Sequence, residues 1–391
     1  MITVEEARQV MMGHVPPPKS ERVPLAEALA RYQLDEALRS PVDHPMFTCS
    51  AVDGYAFAFD EHREWKVVLE IAAGQAPDVV LRPGECARIF TGAMLPPSAD
   101  TVVMQEFVVR TGDRFTHSDQ RLKKNGNVRF QGEQFRAGTV VHERGKPFTP
   151  QAIGLLAGLG ITDVRVARSP SVHVVTTGGE FTAPDKPLPG RIFSSNDVML
   201  ASALRMAGLD ATVSFCADDA DRLGDALNRA ARMSDLVITT GGASVGDHDL
   251  IRPVLEQLGA DIHFHGVRQK PGKPMLFATL NNTPVFALPG NPRAVIILYW
   301  EYVLPFLRAM QGASDPWPLM DRLPLSTPIS LKGERAEFRA AHVRGGKVTL
   351  LPDEGSHMLS ALTRADVLAY LPLDVRSLNE GDLVEVHHLP R

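Results

Sequence analysis

Through the first third of the chain, short apolar runs alternate with turn residues: Val67-Val68-Leu69-Glu70-Ile71, Ala87-Arg88-Ile89-Phe90, Thr101-Val102-Val103-Met104 and Val108-Val109. Brief β-type runs punctuated by turns predict a small β-rich unit. Ahead of it, Thr3-Val4-Glu5-Glu6 has the form of a capping box, followed by Val4, Ala7, Val10 and Met11 at helical spacing. Acids rather than bases fill that first turn, so no signal peptide is expected. Past Thr149-Pro150 the texture changes: Ala152 to Leu159 predicts a short apolar helix closed by Gly160, and Val164-Arg165-Val166 a strand. A boundary is expected near residues 165 to 170.

From Ser171 to about Leu307 the pattern becomes strand, glycine-rich turn, helix, repeated, which predicts a parallel α/β layer. Val172 to Val175 leads into Thr176-Thr177-Gly178-Gly179-Glu180, and a helix begins at Ser195-Asn196. The strand Ala211 to Phe215 and the helix Ala220 to Arg232 follow. Asp235-Leu236-Val237-Ile238 then enters Thr239-Thr240-Gly241-Gly242-Ala243-Ser244-Val245-Gly246. A helix to Leu258, strands at Ile262 to Phe264 and Pro274 to Thr279, and Val285 to Leu288 before Pro289-Gly290-Asn291-Pro292 complete the layer. Open α/β sheets bind ligands at the carboxyl ends of their strands, where these turns are expected to lie. Beyond Pro316 short strands return at Phe338 to Val343, Lys347 to Leu351, Val367 to Leu371 and Leu383 to His387, predicting a small β-barrel or sandwich. The expected division is 1–168 with a β-rich insert over about 45–140, 169–312, and 313–391.

Composition narrows the functions available. No apolar run reaches the length of a membrane span, and 41 Lys plus Arg against 46 Asp plus Glu give a net charge of -5. That sign disfavours a protein that grips nucleic acid with its whole surface. Cys49, Cys86 and Cys216 are scattered without a Cys-x-x-Cys spacing, so buried free thiols in a reducing cytoplasm are expected rather than disulfides or a zinc site.

Glycine turns let main-chain N–H groups converge on an anion, and Gly241 to Gly246 has that form; one such loop alone is as readily a tight turn. No Walker sequence occurs, and Gly158-Leu159-Gly160 lacks the third glycine of a dinucleotide fingerprint. Asp247-His248-Asp249 could carry metal or protons or could simply cap a helix. In Lys270-Pro271-Gly272-Lys273-Pro274 the prolines stiffen a turn that holds two cations where a phosphate could sit. Leu288-Pro289-Gly290-Asn291-Pro292 joins a rigid turn to a helix start. Asp53-Gly54 and Thr91-Gly92-Ala93 read singly as turn chemistry. His263 and His265 share a strand face without a third ligand nearby, which favours packing over metal. His387-His388 reads as a solvated end.

Taken in order, these segments resemble the molybdopterin molybdenumtransferases, the MoeA and gephyrin E-domain family. The likeness runs through Val52-Asp53-Gly54-Tyr55-Ala56, Phe90-Thr91-Gly92-Ala93, Ala99 to Glu106, Gly241 to Asp249, Lys270 to Pro274, Leu288 to Pro292 and Gly355-Ser356-His357. It implies a multi-domain α/β and β fold: a central parallel molybdopterin-binding domain, N-terminal β-rich extended domains and a C-terminal small β-barrel. It further implies a cytoplasmic homodimer with its cleft between protomers. The implied activity is the Mg²⁺-assisted conversion of adenylylated molybdopterin and molybdate to molybdenum cofactor and AMP, with molybdopterin adenylyltransferase and apo-molybdoenzymes as candidate partners.

Carried over by position, the implied catalytic residues are Asp53, Thr91, Glu180, Asp249 and Lys270. Substrate binding falls to Gly241, Gly242, Ser244, Gly246, Lys273, Pro289, Asn291, Arg335 and Ser356, and metal binding to Asp249, Glu180 and Asp218, although Asp218-Asp219 could equally be a helix cap. Gln134, Gly266, Cys49 and Ser98 depart from the family pattern. Arg268, expected on the same face of an extended strand, could substitute for the base missing at Gly266. Two further readings are a catalytically reduced scaffold that binds molybdopterin or partners, and the sister adenylyltransferase. The outer regions speak against the sister activity, and Asp53, Glu180 and Asp249 against the scaffold. Tungstate shares the charge and shape of molybdate.

Overall fold

The computed structural model describes residues 1–60, 64–183, 185–242, 250–331, 333–352, 355 and 358–390. Helix α1 (Val4–Met12) opens with the expected capping box, the Thr3 side chain accepting from the Glu6 N–H and Glu6 returning a bond to the Thr3 N–H. Strand β1 (Ser20–Pro24) follows. The β-rich unit then contributes β2 (Gly54–Phe57), β3 (Trp65–Ile71), β4 (Glu85–Ile89), β5 (Thr101–Met104), β6 (Val108–Thr111) and β7 (Arg114–His117). These form one six-stranded sheet in the order β5-β2-β4-β3-β7-β6. Helix α2 (Pro150–Gly158) leads to β8 (Asp163–Ala167), which pairs antiparallel with β1.

The α/β layer comprises β9 (Val172–Thr177), α3 (Asn196–Met206), β10 (Ala211–Cys216), α4 (Ala220–Met233), β11 (Leu236–Thr240), α5 (Ile251–Gln257) and β12 (Asp261–His265). It continues through β13 (Gln269–Lys270), β14 (Leu276–Leu280), β15 (Thr283–Leu288), α6 (Pro292–Leu298), a π-helix (Tyr299–Val303) and α7 (Leu304–Met310). Its central strands β9, β11, β15 and β14 are buried on both faces, where successive residues point to opposite sides, while the edge strands β10 and β12 stay partly exposed. Val172, Val174, Leu236 and Ile238 join α1, α3 and α6 in one apolar cluster; Val175 and Val237 join α4 and α5 in the other. Helix α4 shows the reason plainly, with Leu223, Leu227, Ala230 and Ala231 buried along a single stripe.

The sheet order is β10-β9-β11-β15-β14-β12. Here the structure departs from a purely parallel layer: β14 runs antiparallel to both β15 and β12. Asn281 and Asn282 cause the reversal, for both hold positive φ (51° and 64°) and so make the two-residue turn that joins neighbouring strands tightly. The consequence is positional, since the start of β14 lies beside the end of β15, Leu276 opposite Ala287.

The final sheet contains β16 (Met320–Pro324), β17 (Ala336–Arg344), β18 (Lys347–Leu350), β19 (Val367–Leu371) and β20 (Leu383–His388). The order β17-β19-β20-β16, with β18 on β17 and a Leu325–Val348 bridge, curls it into a small barrel. Strand β13, from the α/β layer, adds to this sheet in parallel with β17.

His387 is not at a solvated end. It is 1% exposed, with Nδ1 2.8 Å from Glu301 Oε2 and Nε2 3.1 Å from Glu385 Oε1. Arg8 reaches the same Glu301 oxygen at 2.6 Å, so α1, the π-helix and the barrel meet at one buried charge cluster. His388 does reach the surface, 2.8 Å from Asp321. His263 packs on His14 and Phe277 and sits 2.8 Å from Thr279 Oγ1. The three cysteines are buried and unpaired.

Candidate functional site

The carboxyl ends of the adjacent parallel strands β9, β11 and β15 carry the turns Gly178-Gly179-Glu180, Gly241-Gly242 and Pro289-Gly290-Asn291. These turns touch. Gly241 has φ +88°, and a Cβ there would lie 2.5 Å from the Thr177 carbonyl oxygen, so no other residue fits. A Cβ on Gly290 would in turn stand 3.8 Å from the Gly241 Cα. The Asn196 side chain, at the start of α3, donates to the Gly290 carbonyl at 2.8 Å. Of the two adjacent acids, Asp219 takes the helix cap by accepting from the Arg222 N–H, whereas Asp218 accepts from the Gly179 N–H at 2.8 Å and steadies the Glu180 turn.

Because β14 is reversed, the Lys270 to Pro274 turn arrives at this same edge. Its backbone is fixed from the other side by the β13–β17 ladder, with Gln269 opposite Ala336 and Lys270 opposite Glu337. Between the α/β edge and the barrel lies a cavity of about 930 Å³. Glu180, Lys270, Lys273, Pro289, Asn291 and Arg335 all line it, as does Gly355. Five basic side chains face it against two acidic ones, among the described residues, in a chain whose net charge is -5. The side chains of Lys270, Lys273 and Arg335 have no hydrogen-bond or ion-pair partner among the described residues. Unneutralised cations beside exposed main-chain turns suit an oxyanion or a phosphorylated ligand.

Arg293, Glu337 and Arg339 also line the cavity and were not anticipated. A signal for two of them exists: Arg335, Glu337 and Arg339 alternate with the buried Ala336, Phe338 and Ala340, the period of a half-buried strand. Arg268 does not share an extended strand face with Gly266. Gly266 holds φ +89°, which breaks the extended run, and Arg268 opens instead onto a separate cavity with Glu5, Tyr370 and Arg376.

Asp53 and Thr91 form a cluster of their own on the β-rich sheet and do not line this cavity. The Asp53 carboxylate accepts from the Thr91 N–H and hydroxyl, both at 2.8 Å, and these bonds with the nearby Arg88 hold its pKa below the usual carboxylate value. Arg88 stacks over Tyr55 and Phe90 while donating to the Gly54 carbonyl at 3.0 Å. Ser244, Gly246, Asp249 and Ser356 lie outside the described residues.

A mixed α/β layer whose glycine turns and basic side chains line a cavity against a small barrel, joined to a separate β-rich unit, defines a multi-domain protein. Three family models match in succession: the MoeA N-terminal region (domains I and II) over residues 2–160, the probable molybdopterin binding domain over 173–309, and the MoeA C-terminal region (domain IV) over 322–389. The molybdopterin molybdenumtransferase of a Nostoc species is 34% identical over 90% of this chain and 85% of its own length. That of Haemophilus influenzae is 31% identical over 99% and 98%. A crystal structure of the molybdopterin biosynthesis MoeA protein of Pyrococcus horikoshii superposes with a TM-score of 0.84 at 27% identity, covering all of both chains. The chain belongs to the molybdopterin molybdenumtransferase family.

Proposed function

We propose that this cleft converts adenylylated molybdopterin and molybdate to molybdenum-bearing molybdopterin and AMP. Membership of the family makes the chain a transferase of molybdenum cofactor biosynthesis. The observation that carries the finer reading is that Lys270, Lys273 and Arg335 line one cavity and have no side-chain partner among the described residues. Molybdate is a compact dianion and needs cations or N–H donors rather than carboxylates. Lys270, Lys273 and Arg335, with Ser356, therefore hold the oxyanion, while the Gly241-Gly242 and Pro289-Gly290-Asn291 turns offer donors to the phosphorylated pterin.

Mg²⁺ binds through one or two carboxylates completed by substrate phosphates. Glu180 on the cavity wall fits that habit together with Asp249, and Asp218, with one oxygen bound to Gly179, steadies Glu180. Bound there, the ion would polarise the phosphoanhydride. Asp53 and Thr91 stand apart from the cavity of their own chain, which supports a homodimer whose partner protomer brings them to the cleft. The three buried free thiols support a cytoplasmic setting.

The test combines purified protein, adenylylated molybdopterin, molybdate and Mg²⁺, following AMP release and activation of an apo-molybdoenzyme together. Wild-type turnover and its loss in Asp249→Ala and Lys270→Ala are expected. Tight binding of the adenylylated pterin without any AMP would overturn the insertase in favour of a scaffold. Tungstate in place of molybdate reads out the preferred oxyanion.

A further inference from the structure

The Lys270 side chain has no partner among the described residues, so its place depends on what fixes the backbone there. On one side β13 is laddered to β17. On the other, the fully buried Gln269 folds its side chain over the turn, and its amide N–H donates to the Pro271 carbonyl at 2.8 Å. The amide therefore bridges from the residue before Lys270 to the residue after it. Its carbonyl oxygen accepts a hydrogen bond from the Tyr302 hydroxyl, which decides which way the amide points.

Tyr302 is itself completely buried and sits on the π-helix. Desolvation pushes its phenol well above the usual value, so the hydroxyl remains a donor under all working conditions. The wider turn of the π-helix lets three neighbouring side chains reach three different partners. Tyr299 donates to the Ala203 carbonyl at 3.0 Å, Glu301 meets Arg8 and His387, and Tyr302 meets Gln269. One of these three leads to the cleft.

We propose that Tyr302 and Gln269 are positioning residues that set where the Lys270 ammonium meets the oxyanion. The inference rests on the cleft's reading as an oxyanion site and deepens it. A charge-assisted bond to an anion depends on where the ammonium stands, so a displaced Lys270 weakens that contact. The relay reaches substrate only through Lys270, so its loss is expected in oxyanion affinity rather than in pterin recognition.

The experiment titrates molybdate alone into the full-length protein by calorimetry, for wild type, Tyr302→Phe and Tyr299→Phe. Tyr299→Phe is the control, because it removes an equally buried hydroxyl from the same π-helix on a bond that runs to α3. Expected is a roughly tenfold weaker molybdate affinity in Tyr302→Phe and an unchanged one in Tyr299→Phe. In turnover assays the Tyr302→Phe variant should raise the molybdate KM about tenfold while leaving kcat and the pterin KM within about twofold. Equal molybdate binding by wild type and Tyr302→Phe overturns the positioning role and leaves the proposed function standing. Equal weakening in both variants also overturns it, reducing the π-helix to a structural part. Absence of molybdate binding by the wild type removes the oxyanion reading of the cleft and this inference with it.

Discussion

Replacing His387 with leucine takes one member from a charge cluster whose centre, Glu301 and His387, is closed to water. Glu301 and His387 are each 1% exposed, and among the described residues Glu301 retains only Arg8, at 2.6 Å, once the imidazole is gone. A hydrogen bond to a buried charged group contributes about 1.5–3 kcal/mol, and removing one partner of a buried ion pair costs about 3–5 kcal/mol. The second bond, to the partly exposed Glu385, adds little because that carboxylate regains water. Leucine restores some packing against Phe338 and Tyr370, so the expected loss is about 3 kcal/mol.

Its pH dependence has a definite sign. Burial alone would lower the His387 pKa, but the bonds to Glu301 and Glu385 outweigh it and raise the value above normal. Stabilisation by the imidazolium is thus complete below the unfolded value, about 6.5, and is lost as pH rises through the folded one. Urea unfolding, followed by fluorescence in a Trp65→Phe background that leaves Trp300 and Trp317 as reporters, should show the gap between His387 and leucine largest near pH 6 and shrinking toward pH 9. A gap below about 1 kcal/mol, or one that widens with pH, would refute the reasoning.

Asp235 accepts from the Ser171 N–H and hydroxyl and pairs with Lys19 and Arg168; burial raises its pKa, but these partners prevail and hold it at about 2. Asp235→Asn should cost about 2 kcal/mol at neutral pH, after allowance for partial solvent screening, and thermal melts should converge with wild type as pH falls from about 4 toward 2. At the Asn281-Asn282 turn, Asn282→Val should destabilise by about 1–2 kcal/mol while Asn282→Gly is neutral or mildly stabilising, read by denaturant midpoints. The adjacent acids separate cleanly: Asp219→Ala should lose about 1 kcal/mol of helix capping with turnover intact, and Asp218→Ala should lower kcat/KM roughly tenfold with little change in melting temperature.

Much of this was legible in the sequence where the signals are local. Capping residues, β-branched runs and glycine turns found α1, the strands and the three loops at the sheet edge, because each depends on neighbours a few residues away. The reversed strand β14 escaped, although Asn281-Asn282 carried the turn chemistry, because an alternation of strand and helix suggests parallel pairing wherever it occurs. His387 escaped for a different reason. Its partners Glu301 and Arg8 lie far off in sequence, and a His-His pair near other polar residues has nothing local to mark it as buried. The Lys270-Pro271-Gly272-Lys273 turn was marked by its own residues, whereas Arg335 came only from the family likeness, because its strand could not have been joined to that turn from spacing. Arg335, Glu337 and Arg339 were readable in principle from the period of two, once the segment was taken as a strand.

The β13–β17 ladder also governs when the protein becomes competent during synthesis. Gln269-Lys270 pairs with Ala336-Glu337, and Glu301 with His387, so the ribosome delivers each first member well before its mate. Domains fold as units as the chain emerges, and the α/β layer can condense early around its own two cores. Until the barrel follows, the lysine turn has an open edge and the acid on the π-helix lacks its imidazole. The cavity with its basic lining therefore belongs to the finished polypeptide, and a nascent chain stalled before residue 336 displays the glycine turns without the barrel strand that closes the site.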